Sequence, residues 1–198
     1  MAAHEHERWA GAVRKLLSFH VTSVDGYYEG PGQAFDWPVV DEEFNQFALQ
    51  QLEEADMLLF GRATYQMMAG YWPTPAAKQD DPGVTAKMNS LAKIVISRTL
   101  DAAEWAHTQL ITEDVAEAVA KLKHQTGQNM LILGSSALTV SLIEMGLVDE
   151  VRVMVSPVVL GDGKSLFRTA AERISLTPLQ VRSFGSGNVL LSYRPAAR

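Results

Sequence analysis

Short apolar runs that stop at glycine or serine and give way to helix-patterned segments recur along the chain, and this alternation constrains the fold most. Leu58-Leu59-Phe60 runs into Gly61, Ile94-Val95-Ile96 into Ser97, and Leu131-Ile132-Leu133 into Gly134. A run that is apolar at every position suits a strand buried on both faces, as in a parallel sheet, whose strands need crossover connections. The pattern predicts an α/β protein, a three-layer αβα stack with a mostly parallel central sheet.

The remaining segments fill in this scheme. Strands are expected over Arg14 to Thr22, Met57 to Phe60, Met130 to Leu133 and, as a long strand containing Pro157, Val151 to Leu160. Asp41 reads as the N-cap of a helix reaching Glu54, because Phe44, Phe47, Ala48 and Leu52 share one face. Ala63 to Met68 reads as a short helix, and Tyr71 to Val84 as a Pro-rich loop that closes with a second helical stretch. Asp114 with Glu117 resembles a capping box opening a helix that ends near Gly127, and Ser136 to Met145 is a helix stopped by Gly146. Ile174 to Phe184 and Val189 to Tyr193, joined by Gly185-Ser186-Gly187-Asn188, predict antiparallel C-terminal strands. Residues 1–12 read as a mobile leader and 13–198 as one domain, consistent with a length of 198 residues.

Composition removes several classes of function. With 17 basic and 23 acidic residues the formal charge is -6, which does not favour nucleic acid. Cysteine is absent, so disulfides, thiolate nucleophiles and cysteine-based zinc sites are excluded, in keeping with a cytoplasmic setting. The histidines show no metal-ligand spacing, and no apolar run is long enough to cross a membrane. No metal, nucleic-acid or membrane partner is expected.

In a parallel sheet, ligands collect where strands end, which directs attention to four junctions. Gly61-Arg62-Ala63-Thr64-Tyr65 offers a close backbone approach, a guanidinium and a hydroxyl at a helix start, though a solvated surface turn fits equally. Ser97-Arg98 suits a phosphate monoester, or is a loop arginine in water. Gly134-Ser135-Ser136 places a glycine turn at a helix N-terminus, suited to a diphosphate, and either serine also serves as an N-cap. Ser23-Val24-Asp25-Gly26 lies before an aromatic loop holding Trp37 and before the acids Asp41 and Glu42. A carboxyl enclosed beside an aromatic ring has its pKa raised and can donate a proton near neutrality, whereas Asp25 as a turn residue and Asp41 as a cap are the structural alternatives.

Taken in order, Ser23-Val24-Asp25-Gly26, Leu58 to Tyr65, Val95-Ile96-Ser97-Arg98 and Leu133-Gly134-Ser135-Ser136 resemble the dihydrofolate reductase-like superfamily. Gly146-Leu147-Val148-Asp149-Glu150-Val151 and Pro157-Val158-Val159-Leu160-Gly161-Asp162-Gly163 look like the C-terminal reductase domain of bacterial riboflavin biosynthesis enzymes. The resemblance runs from Arg14 to Tyr193. It implies hydride transfer from NADPH to a small heterocyclic or carbonyl substrate, similar to 5-amino-6-(5-phosphoribosylamino)uracil reductase or dihydrofolate reductase. The implied cofactor contacts are Gly61, Arg62, Thr64, Ser97 and Arg98, the last two and Arg62 around the adenosine 2′-phosphate, with Gly134, Ser135 and Ser136 at the diphosphate. Nicotinamide would lie near Val21 to Asp25, with Trp37 and Tyr65 as substrate contacts and Asp25 or Asp41 as the catalytic acid.

Two departures accompany the likeness. Ser135 stands where relatives often carry a second glycine, and the cysteines of the zinc deaminase usually attached to such domains are missing, so a bifunctional deaminase-reductase is excluded for this chain. Relatives commonly form homodimers, which is the assembly expected. The alternative function is a nucleotide-binding or regulatory module that keeps the fold without turnover.

Overall fold

The structure, a computed structural model, describes residues 13–196. The leader expected over residues 1–12 lies outside the described residues. Strands β1 (Leu16–Thr22), β3 (Ala55–Gly61), β4 (Ala92–Ile96), β5 (Thr108–Ile111), β6 (Asn129–Leu133), β7 (Glu150–Val155), β9 (Leu176–Ser183) and β10 (Val189–Pro195) form one sheet, ordered β5-β4-β3-β6-β1-β7-β10-β9. The pairings from β5 through β7 are all parallel, and those of β7 with β10 and β10 with β9 are antiparallel. A separate ribbon pairs β2 (Tyr27–Glu29) with β8 (Lys164–Ser165).

Among the described residues six α-helices accompany the strands: α1 (Glu42–Glu53), α2 (Arg62–Tyr71), α3 (Pro75–Asp80), α4 (Pro82–Ser90), α5 (Val115–Lys123) and α6 (Ser136–Glu144). Strand alternation divides the core into two clusters. Leu17, Phe19, Leu58 and Phe60 pack with Phe47 and Leu52 of α1, Tyr65 of α2 and Met88 of α4. Leu16, Leu59, Met130 and Ile132 face the other way, onto Val119 of α5 and Leu142 and Ile143 of α6. The central strands are thus covered on both faces, which is why Leu58 to Phe60 of β3 and Leu131 to Leu133 of β6 are apolar at every position. The three-layer α/β architecture with antiparallel C-terminal strands is as the sequence predicts.

The structure corrects several details. The long strand stops at Val155 short of Pro157, which has no amide to donate to a ladder; Val158 turns back to bond the Ser156 carbonyl. The Pro-rich segment holds two helices, because Thr74 and Asp81 cap them and Pro75 and Pro82 occupy first-turn positions where the missing amide costs nothing. The stretch after Trp105 contains the unforeseen β5. Asp114 does not form a capping box: its backbone is left-handed, at φ 48 and ψ 39, and its side chain makes no cap hydrogen bond. Helix α5 ends at Lys123, before Gly127.

Candidate active site

Because β4, β3, β6 and β1 are parallel neighbours, their carboxyl ends align along one edge, and all four junctions meet there. Gly134 adopts a left-handed φ of 62, and its amide donates to the Phe19 carbonyl of β1 at 3.0 Å. A Cβ on this residue would come within 3.6 Å of Thr64 Cγ2, so the turn lies directly against the start of α2. Ser135 is buried; its hydroxyl accepts from the Gly61 amide at 3.0 Å and donates to the Leu133 carbonyl at 3.3 Å. The Ser135 side chain therefore joins the turns that follow β3 and β6.

Ser136 is also buried, and its hydroxyl donates to the Leu166 carbonyl at 2.5 Å. Its side chain is thereby tied to the segment just after β8. The Ser97 hydroxyl accepts from the amides of Thr99 and Leu100, both at 3.1 Å, and so shapes its own loop. Arg62 and Arg98 are exposed and form no ion pair among the described residues, which leaves both guanidinium groups available to an anion.

Beside Arg98 opens a groove of about 810 Å³ between the ends of β4 and β5 and the helices α5 and α6. Ile96, Leu138 and Met145 supply apolar wall, and Ser97, Arg98, Thr112, Glu113, Asp114 and Glu117 the polar rim. The sequence reading missed Thr112, Glu113, Leu138, Ser141 and Met145 as lining residues, since β5 is only four residues long and lacks a continuous apolar run.

At the other end of the edge, Asp25 is exposed and accepts from the Ser23 hydroxyl at 2.6 Å and the amides of Leu160 and Gly161 at 3.2 and 2.8 Å. These hydrogen bonds, that of Ser23 foremost, hold its pKa below the ordinary value. The expected upward shift is absent because the group is neither enclosed nor lacking donors. Asp25 stays ionised near neutrality and ties the β1 turn to the 160–161 turn.

Asp41 caps α1, with Oδ1 accepting from the Phe44 amide at 2.8 Å and no partner for Oδ2 among the described residues. Glu43, which the sequence reading did not single out, accepts from the Gly185 amide and from Arg182, and these lower its pKa.

Trp37 is half-buried, donates to the Ala34 carbonyl at 3.3 Å and meets Phe35 edge-on at 5.8 Å. Its loop is anchored nearby, where the Asn188 side chain donates to the Val39 carbonyl at 2.8 Å and the Ser156 hydroxyl bonds Asn188 Oδ1 at 2.9 Å. Tyr65, expected as a substrate contact, is 4 % exposed, its hydroxyl accepts from the Trp105 amide at 2.9 Å, and its ring packs against that indole.

A family model described as the RibD C-terminal domain matches residues 14–190. The chain belongs to that family. Among relatives of this RibD C-terminal domain protein, Uncharacterized protein YyaP of Bacillus subtilis (strain 168) is 32% identical over 186 residues, covering 91% of this chain and 94% of the relative. A structure from Shewanella sp. PV-4, described as that of a riboflavin biosynthesis protein, superposes with a TM-score of 0.70 at 22% identity, covering 92% of this chain and 99% of the other. Dihydrofolate reductase from Enterococcus faecalis, complexed with NADP(H), gives a TM-score of 0.56 at 16% identity over 93% of this chain and 98% of its own. The fold of this RibD C-terminal domain protein is dihydrofolate reductase-like. No helix among the described residues is long and apolar enough to cross a membrane.

Proposed function

We propose that this protein is an NADPH-dependent reductase of a small heterocyclic or carbonyl compound, acting as a homodimer in the cytoplasm. The observation that supports this reading most is the alignment on one sheet edge of the Gly61, Ser97 and Gly134 turns, with unpaired Arg62 and Arg98 and a groove of about 810 Å³ beside them. These features fit a dinucleotide: a glycine turn against a helix start for the diphosphate, guanidinium groups for the 2′-phosphate, and apolar wall from Ile96, Leu138 and Met145 for a flat ring.

In this reading the backbone around Gly61 and Gly134 positions the diphosphate, Thr64 borders it, and Arg62 and Arg98 neutralise the 2′-phosphate. When bound, NADPH supplies the hydride. Ser97, Ser135 and Ser136 act through the backbone they hold. Trp37 shelters the reacting end from water. Of the two sequence candidates for proton delivery, Asp41 keeps an oxygen without a described partner, and we assign it the role; Asp25 holds the loop.

Equilibrium titration with NADPH and NADH, followed by turnover against pterins and pathway pyrimidines, tests the proposal. Saturable NADPH binding with substrate-dependent oxidation is expected. Binding without oxidation of any substrate would favour the second reading, a non-catalytic nucleotide-binding module, which the commitment of Asp25 to Ser23, Leu160 and Gly161 supports. Light scattering tests the homodimer, and a monomeric mass would refute it.

A further inference from the structure

We propose that Asp114 is a specificity-determining residue that narrows this protein's preference for NADPH over NADH. The inference rests on the cofactor reading above and concerns the groove next to Arg98.

Asp114 immediately precedes α5, where an aspartate ordinarily caps the helix through its side chain. Here its backbone is left-handed, and the carboxylate reaches no amide of the first turn. It has no hydrogen-bonding or ionic partner among the described residues, yet it lines the groove together with Arg98. An unpaired carboxylate at this place can accept hydrogen bonds from ribose hydroxyls, the role acidic residues take toward the unphosphorylated adenosine ribose.

The charge balance points the same way. Arg98 is the only cation lining the groove among the described residues, and the uncapped end of α5 adds roughly half a positive charge. Against them stand Glu113, Asp114 and Glu117, of which only Glu117 has a cation of its own, Lys121 at 2.6 Å. A 2′-phosphate entering beside Arg98, with Arg62 as its second cation, also meets the unpaired carboxylates of Glu113 and Asp114, whereas the ribose diol of NADH adds no charge. Repulsion and hydroxyl recognition by Asp114 thus act in one direction on the ratio of the two affinities.

The test is titration of the whole protein with NADPH and NADH, and with 2′,5′-ADP and 5′-AMP as probes of the adenosine end. Asn tolerates the left-handed backbone, so Asp114→Asn keeps the local conformation while removing the charge. We expect it to raise the ratio of NADPH to NADH affinity about fivefold or more at low salt, and the 2′,5′-ADP to 5′-AMP ratio likewise. Glu113→Gln moves the ratio in the same direction, and Glu53→Gln, which removes one charge where α1 leads into β3 at the opposite edge of the sheet, leaves it unchanged. If both nucleotides bind and Asp114→Asn leaves the ratio as it was, the inference is overturned and the cofactor reading stands. If neither nucleotide binds, both are overturned.

Discussion

The Ser135 hydroxyl accepts the Gly61 amide at 3.0 Å, so the turn after β6 holds the last residue of β3 in place. Ser135→Ala removes this acceptor within a buried setting. We expect a loss of about 1–2 kcal/mol in unfolding free energy, read from urea titration, because the Gly61 amide is left without a partner. NADPH affinity should fall with it, since Gly61 and Gly134 no longer share a fixed spacing.

Arg98 is exposed and unpaired, so Arg98→Ala is expected to change stability by less than about 0.5 kcal/mol. Fluorescence titration should show NADPH weakened about tenfold or more and NADH much less, because only NADPH carries the 2′-phosphate. Equal losses for both nucleotides would remove Arg98 from that role.

Asp41 separates a structural role from a chemical one. Asn caps helices as well as Asp does, so Asp41→Asn should leave the melting temperature nearly unchanged. If Asp41 delivers the proton, turnover with a reducible substrate falls about 10²-fold or more. Unaltered turnover in the variant would assign the proton to another source.

His20 carries the main acid sensitivity foreseen for the fold. It is buried in β1, its Nε2 meets Thr139 Oγ1 at 3.0 Å, and burial pushes its pKa down to about 3. The unfolded chain takes up this proton near pH 6.5, so between roughly pH 6.5 and 3 the unfolded state binds more protons and stability is lost as pH falls. The expected slope from this group is about 1.4 kcal/mol per pH unit. Asp25 and Glu43, with pKa values lowered, add their losses at lower pH. Unfolding free energies at pH 7 and 5 should therefore differ more in the wild type than in His20→Gln.

Gly163 has a φ of 142, and a Cβ there would sit 2.1 Å from the Glu29 carbonyl oxygen. Gly163→Ala cannot keep the β2–β8 ribbon as it is. Limited proteolysis should cut near residues 157–168 much faster in the variant, while the main sheet, judged by far-ultraviolet circular dichroism, persists.

The parts of the molecule that could be read from its sequence are those whose cause is local. Leu58 to Phe60 and Leu131 to Leu133 are apolar at every position because both faces are covered, and that pattern alone identifies central strands. Their adjacency on one edge then followed from the parallel arrangement. What could not be read depends on partners far along the chain. The donors that keep Asp25 ionised include residues 160 and 161, and the group that satisfies the Tyr65 hydroxyl is the amide of Trp105. Asp114 has the composition of a cap, but its left-handed backbone is visible only in three dimensions. Strand β5 escaped notice because, at the sheet edge and four residues long, it needs little apolar sequence.

The placement of β1 between β6 and β7 has a consequence for how the protein comes into being. Leu16 pairs with Met130 and Leu17 with Glu150, so the centre of the sheet cannot close until most of the polypeptide has been synthesised. Such distant pairings make folding slow, and during translation an apolar strand waits with both hydrogen-bonding edges open. Yield in a cell should therefore depend on chaperone capacity and growth temperature more than the finished domain's stability suggests.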